Sequence, residues 1–395
     1  MKIGILTHYY NSTNYGGSLQ AYALCKVLEQ MGHQPQQICI DHSQGCYDLL
    51  DTSLLAPVKR LVGKPVKNAV KAAVRWFSPG RRKAYRLKQS RHNTLLSSFA
   101  SFNQGLTPHS SQVYTTKNIH QAAQHYDAFI TGSDQVWNPI WYFPPFFLDF
   151  VPGGKIKLSY AASVAQNTLP SHVQQIYKDH LQDFTGISLR EADAVAMLEG
   201  ICPVKPQCVL DPTLLLTRED WQQVAAPRQI THPYIFCYFL GDEPHMRKAA
   251  ADYAKENGLT LVNIPNAAGL IHLHDKGFGD VAIQDPPVEV FLSLIRHAEY
   301  VFTDSFHASV FSLLHKRQFV AFPRNSHKAM GSRLTSLTTL FGVQERFCCC
   351  EPKEYTAYIQ ALDPIDYTPT PSEFAQRKQC SLDFLHQYLS GTQEN

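Results

Sequence analysis

The segment Thr303-Asp304-Ser305-Phe306-His307 holds the residues best placed for acid and base chemistry. An apolar run, 300–303, passes through Thr, Asp and Ser into a second apolar run. That is the pattern of a buried strand turning into a capped helix, and it puts His307 in the helix's first turn. There the imidazole faces the free N–H groups of a helix start, where anions bind. A histidine so placed can donate to an anionic reactant or exchange a proton with it. On position alone His307 also fits a packed core histidine, and Asp304 a simple helix cap.

A second group follows another apolar run: Gly132-Ser133-Asp134-Gln135-Val136-Trp137-Asn138-Pro139. Gly132, Ser133, Asp134, Gln135 and Asn138 supply backbone access, hydroxyl, carboxylate and amide groups suited to sugar hydroxyls, and Trp137 supplies a ring face. The same residues would also make a cap beside a structural Trp. Ser163 and Arg190, at two further strand ends, add a hydroxyl and a fixed cation, although Glu191 beside Arg190 allows an ordinary local ion pair. Near the N-terminus, Asn14-Tyr15-Gly16-Gly17 opens a helix containing Gln20. Paired glycines there let backbone approach a ligand closely, or simply make a tight turn.

The elements that must position these groups alternate between short apolar strands and helical patterns, which is the arrangement of parallel sheets with crossover helices. Strands are predicted at 3–7, 37–40, 128–131, 158–161 and 187–189, and a second series at 234–239, 259–264, 300–303 and 319–322. The fold class is therefore α/β, with two Rossmann-like doubly wound domains, each with its own core, facing a cleft at their strand ends. Boundaries are expected at 1–200, interrupted by a basic helical insertion at about 43–120, then 201–345, then a helical segment 346–395 that packs back on the first domain.

Of 395 residues, 44% are hydrophobic and 17% charged, which excludes a disordered chain. The net charge of +3 is unevenly spread: residues 52–126 contain thirteen Lys and Arg and no acid. Within them Lys64, Lys67, Lys71 and Arg75 flank an apolar helical stripe, so residues 58–92 are read either as a solvated rim or as a peripheral contact with an anionic membrane. No nucleic-acid motif accompanies the charge. The start lacks a secretory pattern and no long apolar run occurs, so a cytoplasmic location is expected, peripheral at the inner membrane face if the basic helix docks. The ten cysteines lack repeated C-x-x-C spacing and are read as reduced thiols, with Cys348-Cys349-Cys350 on a surface loop. No compact ligand cluster suggests a metal or a bound cofactor.

Taken together, Asn14-Tyr15-Gly16 with the helix around Gln20, the 132–139 segment, Ser159-Tyr160-Ala161-Ala162-Ser163, Ser188-Leu189-Arg190-Glu191, Asp211-Pro212-Thr213 and 303–307 resemble the polysaccharide pyruvyltransferase family over nearly the full chain. The resemblance implies a GT-B-like pair of domains and transfer of a pyruvyl group from phosphoenolpyruvate to sugar hydroxyls of a surface polysaccharide or its lipid-linked precursor. It casts the first domain as the acceptor side, with Asn14, Tyr15, Gly16, Gln20 and the 132–138 residues in contact with sugar. By the family pattern Arg190 and His307 would contact the donor; separately, the transfer needs a base for the hydroxyl proton, for which Asp134 or Asp304 is the candidate. Where family members with the activity often have Arg-Leu-His, this chain has Ser305-Phe306-His307. Arg333 or Arg324 would have to supply the missing cation beside Ser305. Two rival readings are a glycosyltransferase using a nucleotide-sugar donor and a non-catalytic glycan-binding homologue.

Overall fold

The computed structural model describes residues 1–43, 45–51, 79–269, 272–324, 331–368 and 371–390. Short β-branched and aromatic runs form two sheets. In the first, β1 (Lys2–Leu6), β2 (Gln34–Gln37), β3 (Ala128–Thr131), β4 (Ile156–Ala162), β5 (Gly186–Leu189) and β6 (Gln207–Cys208) lie in the order β2-β1-β3-β4-β5-β6. In the second, β7 (Tyr234–Tyr238), β8 (Thr260–Asn263), β9 (Val281–Ala282), β10 (Tyr300–Thr303) and β11 (Gln318–Ala321) lie in the order β11-β10-β7-β8-β9. Every pairing is parallel. In each sheet the first strand lies in the interior and the winding reverses beside it, which defines a doubly wound fold. β3 and β10 are buried along their whole length, because helices cover both faces of a parallel sheet.

One strand begins and ends earlier than its sequence suggests. The run 37–40 reads as a strand, whereas β2 ends at Gln37. The apolar residues beyond it pair with an irregular segment instead: Tyr114 N–H donates to Cys39 O at 2.7 Å, and Asp41 N–H to Tyr114 O at 2.8 Å.

Each domain has an apolar cluster of its own, as expected, one around Phe129, Trp137 and Ile187 and one around Ile235, Phe302 and Val320, but a third is shared. The largest apolar cluster runs through both domains, joining Ile3, Leu19 and Leu24 to Phe236, Phe291 and Phe311. The helix Tyr15–Gln30 is the shared wall. Tyr15 stacks on Phe291 at 4.3 Å between centroids, and its hydroxyl donates to Pro286 O at 2.7 Å. Trp221, fully buried, meets Tyr22 on one side and Phe311 edge-on at 4.8 Å on the other. Aromatic pairs of this kind contribute roughly 1 kcal/mol each beyond the area they bury, so the two domains are packed together rather than tethered.

Two further elements cross between the halves. From the helix Pro79–Gly105, Arg91 donates to the carbonyls of Pro265 and Asn266 and pairs with Asp285 at 3.0 Å. That cation, at the end of the 58–92 range read as membrane-facing, is engaged by the protein's own second domain. Lys64, Lys67, Lys71 and Arg75 lie outside the described residues. The helix Ser372–Leu389 returns to the first sheet, where Ser381 Oγ accepts from Leu210 N–H at 2.9 Å and Tyr388 covers Gly186. Among the described residues, no helix is long and apolar enough to cross a membrane.

His315, at the C-terminal end of the helix Phe306–Leu314, is fully buried. Burial, reinforced by Arg218, Arg296 and Arg317, pulls its pKa down from 6.5 to about 3. The folded protein therefore refuses a proton that the unfolded chain accepts, so stability falls as pH drops below 6.5 and this contribution levels off near 3. Between pH 6.5 and 5 the loss is about 2 kcal/mol. Urea unfolding across this range is expected to show a flatter profile for His315→Leu than for the parent; identical profiles would remove His315 as the cause.

Candidate active site

The carboxyl ends of both sheets converge on one cleft of about 570 Å³. At its floor is a buried charge network. Asp211, which follows β6 and is sealed from solvent, accepts from Arg190 Nη1 at 2.8 Å and Ser133 Oγ at 3.3 Å, and its other oxygen accepts from Thr213 N–H and Oγ1. Arg190 also faces Asp134 at 3.5 Å and Glu191 at 3.5 Å, with its guanidinium over the Phe306 ring. Burial alone would raise the Asp211 pKa; His307, Arg190 and Thr213 more than reverse that and hold it far below the usual carboxylate range. Asp134 is likewise pushed up by burial and pulled lower by Arg190, His307, His8 and Arg333, so it is a carboxylate at neutral pH. Burial works against the Arg190 charge, but Glu191, Asp211 and Asp134 raise its pKa above the ordinary arginine value.

His307 belongs to the second domain and reaches into this floor. Its Nε2 lies 3.5 Å from Asp211 Oδ2, within ion-pair reach, and makes no hydrogen bond among the described residues. Its Nδ1 edge rests on the start of the helix Tyr15–Gln30. A Cβ at Gly16 would come within 2.0 Å of Nδ1. Gly16 is thus a glycine because an imidazole from the other domain occupies the space of its side chain, not because a sugar approaches its backbone.

Several expected acceptor contacts turn out to be framework. Trp137 is fully buried, stacked on Phe147 with its N–H given to Phe146 O, and presents no face to a ligand. Gln20 and Ser133 are fully buried: Gln20 donates to Thr7 Oγ1 and Gly17 O and accepts from Ser133 N–H. Gly132 has φ +114°, and a Cβ there would lie 2.2 Å from Tyr160 O, so it allows two strands to approach. Tyr15 is committed to Phe291. Asn14, Asp134, Gln135 and Asn138 do line the cleft. Asn14 also caps its helix, accepting from the N–H groups of Gly16 and Gly17.

On the second-domain side, Ser305 is the helix cap, accepting from Ala308 N–H at 3.4 Å. Asp304 is therefore not the cap, nor is it placed as a base: its two oxygens accept from Leu240 and Gly241 N–H at 2.7 Å each, and the residue is 1% exposed. Burial raises its pKa, with Arg324 and those N–H groups opposing. Arg190 borders a separate cavity of about 260 Å³ beyond Phe306 and has carboxylates on all three nitrogens. Among the described residues, Arg324 and Arg333 line the main cleft together with His307. Arg324 lies 3.7 Å from Asp304. Arg333 lies 3.9 Å from Glu191, and its Nε and Nη2 are buried without a hydrogen-bond partner among the described residues. Burial, with Arg190 nearby, brings its pKa down to about 10, which leaves it charged.

Residues missed in the sequence include Asp211, seen only as part of a strand-end Asp-Pro-Thr, and Trp141, which is 57% exposed at the cleft.

Two parallel doubly wound domains with facing carboxyl edges constitute a GT-B-type architecture. Among solved structures, UDP-GlcNAc 2-epimerase from Methanocaldococcus jannaschii matches with a TM-score of 0.52 at 10% identity, covering 98% of this chain and 100% of that one. The same epimerase in complex with UDP-GlcNAc and UDP gives 0.50 at 11% identity, again covering 98% and 100%. At such identities the likeness is one of fold. No curated protein sequence matches significantly. The chain belongs to the polysaccharide pyruvyl transferase family, whose model matches residues 14–326, and is a transferase by that membership.

Because Gly16 is in contact with His307, Gly16→Ala is expected to displace the imidazole from Asp211. Turnover in the assay described below should fall at least tenfold, with far-ultraviolet circular dichroism unchanged. Full activity in that variant would show that the His307 position is not critical.

Proposed function

We propose that the protein transfers the pyruvyl group of phosphoenolpyruvate to two hydroxyls of one sugar residue, in a surface polysaccharide or its lipid-linked precursor, releasing inorganic phosphate. The observation that carries this reading is the pairing of His307 with Arg333 on one wall, where two guanidinium nitrogens lack hydrogen-bond partners among the described residues. A buried donor without a partner is costly, and an anion satisfies it with charge-assisted bonds. Phosphoenolpyruvate has two anionic ends, a carboxylate and a phosphate, for Arg333, Arg324 and His307.

The chemistry balances without a resident cofactor. C3 of the enol gains a proton while one sugar oxygen bonds to C2; the C2–O bond to phosphate then breaks, and a second sugar oxygen takes its place. The first hydroxyl proton leaves to a base and the second ends on phosphate. His307, held by Asp211, handles the phosphate end and supplies a proton. Asp134, a carboxylate facing the cleft, accepts the hydroxyl proton. Arg190 positions both carboxylates and is not itself a donor ligand in this scheme. Ser305 caps the helix under the donor.

Incubation with phosphoenolpyruvate and candidate glycans should release phosphate and give a ketal methyl signal by proton NMR. His307→Ala is expected to lower kcat by about 100-fold or more. Arg333→Ala should raise KM for phosphoenolpyruvate by about 100-fold, the loss of two charge-assisted hydrogen bonds. A nucleotide-sugar transferase would instead release a nucleoside diphosphate and leave phosphoenolpyruvate intact, and a non-catalytic glycan binder would turn over neither.

A further inference from the structure

The cleft has two chemically different walls. The wall from the second domain carries two guanidinium groups, Arg324 and Arg333, beside His307. The wall from the first domain carries Asn14, Gln135, Asn138, Gln166, Asn167 and Thr168, and Asp134 is its one charged lining residue among those described. From this neutral wall Trp141 projects into the opening at 57% exposure. Among the described residues, the other exposed large apolar side chains, Met1, Leu106, Val113 and Leu273, do not line the cleft.

The backbone of Trp141 is held in place. It ends a short 3-10 turn, Pro139–Trp141, whose first N–H groups are capped by Asn138: its Oδ1 accepts from Ile140 N–H at 3.1 Å and its carbonyl from Trp141 N–H at 3.0 Å. Asn138 Nδ2 donates to Gln135 Oε1 at 2.8 Å, and Gln166 Nε2 donates to Asn138 Oδ1 at 3.4 Å. The amides are therefore linked into one set beside the ring. An exposed aromatic face offers an apolar surface to the C–H side of a pyranose, and amides linked to one another can both donate to and accept from its hydroxyls. A carboxylated sugar would find no cation among the described residues of this wall, and Asp134 would repel it.

We infer that Trp141 is the platform on which an uncharged pyranose acceptor lies, with the linked amides Gln135, Asn138 and Gln166 reading its hydroxyls. The word acceptor rests on the transfer reading above; the binding subsite does not. Sugar binding is measured without donor, by tryptophan fluorescence and saturation-transfer NMR. The probes are the methyl glycosides of glucose, galactose, mannose and N-acetylglucosamine, the methyl glycoside of galacturonic acid, and UMP. At least one neutral glycoside is expected to bind saturably, more tightly than the uronate and than UMP. Trp141→Phe should retain most of that binding, and Trp141→Ala should weaken it about tenfold. The inference is overturned if no neutral glycoside binds into the tens of millimolar, if Trp141→Ala binds as the parent does, or if the uronate or UMP binds better. Phosphate release from phosphoenolpyruvate is followed separately: sugar binding without any release would defeat the transfer reading and leave the subsite standing, whereas release with unchanged Trp141→Ala binding would do the reverse.

Discussion

The ion pair between Arg190 and Asp211 is the constraint on which the site depends. At 2.8 Å and with both side chains nearly out of solvent, neither charge has water to fall back on. Removing one partner of such a pair typically costs 3–5 kcal/mol, because the other remains buried and unmatched. Each member then holds something else. Arg190 pulls the Asp134 carboxyl below its usual range and pairs with Glu191, and Asp211 gathers Ser133, Thr213 and His307. The floor of the cleft is in effect one polar unit assembled from the ends of four strands.

That unit would have no fixed geometry if the domains moved freely. The shared apolar cluster prevents this, since the helix Tyr15–Gln30 is buried against both sheets' elements at once. Tyr15 on Phe291 and Trp221 against Phe311 set the spacing of the walls. The same helix presents Gly16 to His307, so packing and chemistry are adjusted at one element.

The strands were largely legible, because a buried parallel strand is written as a continuous β-branched or aromatic run: 128–131 and 300–303 coincide with β3 and β10. His307 was legible for a related reason, as a polar residue just beyond such a run. What lay beyond local pattern was the direction of side chains after the strand ends. Trp137 and Trp141 are four residues apart, yet one is sealed behind Phe147 and the other stands in the cleft. Ser133 and Gln20 read as ligand contacts because both are polar at strand or helix ends, but they satisfy each other. The place of Asp211 could not be read locally, since its partners come from residues 133, 190 and 307.

The contact of His307 with Gly16 and Asp211 joins opposite domains with almost no clearance. A separation of the walls by one or two ångströms would leave the imidazole without its carboxylate and without its rest. The placement of the imidazole is then a property of domain apposition rather than of any residue alone. In the transfer proposed above, such an arrangement would make proton delivery depend on packing between the domains that lies well outside the cleft.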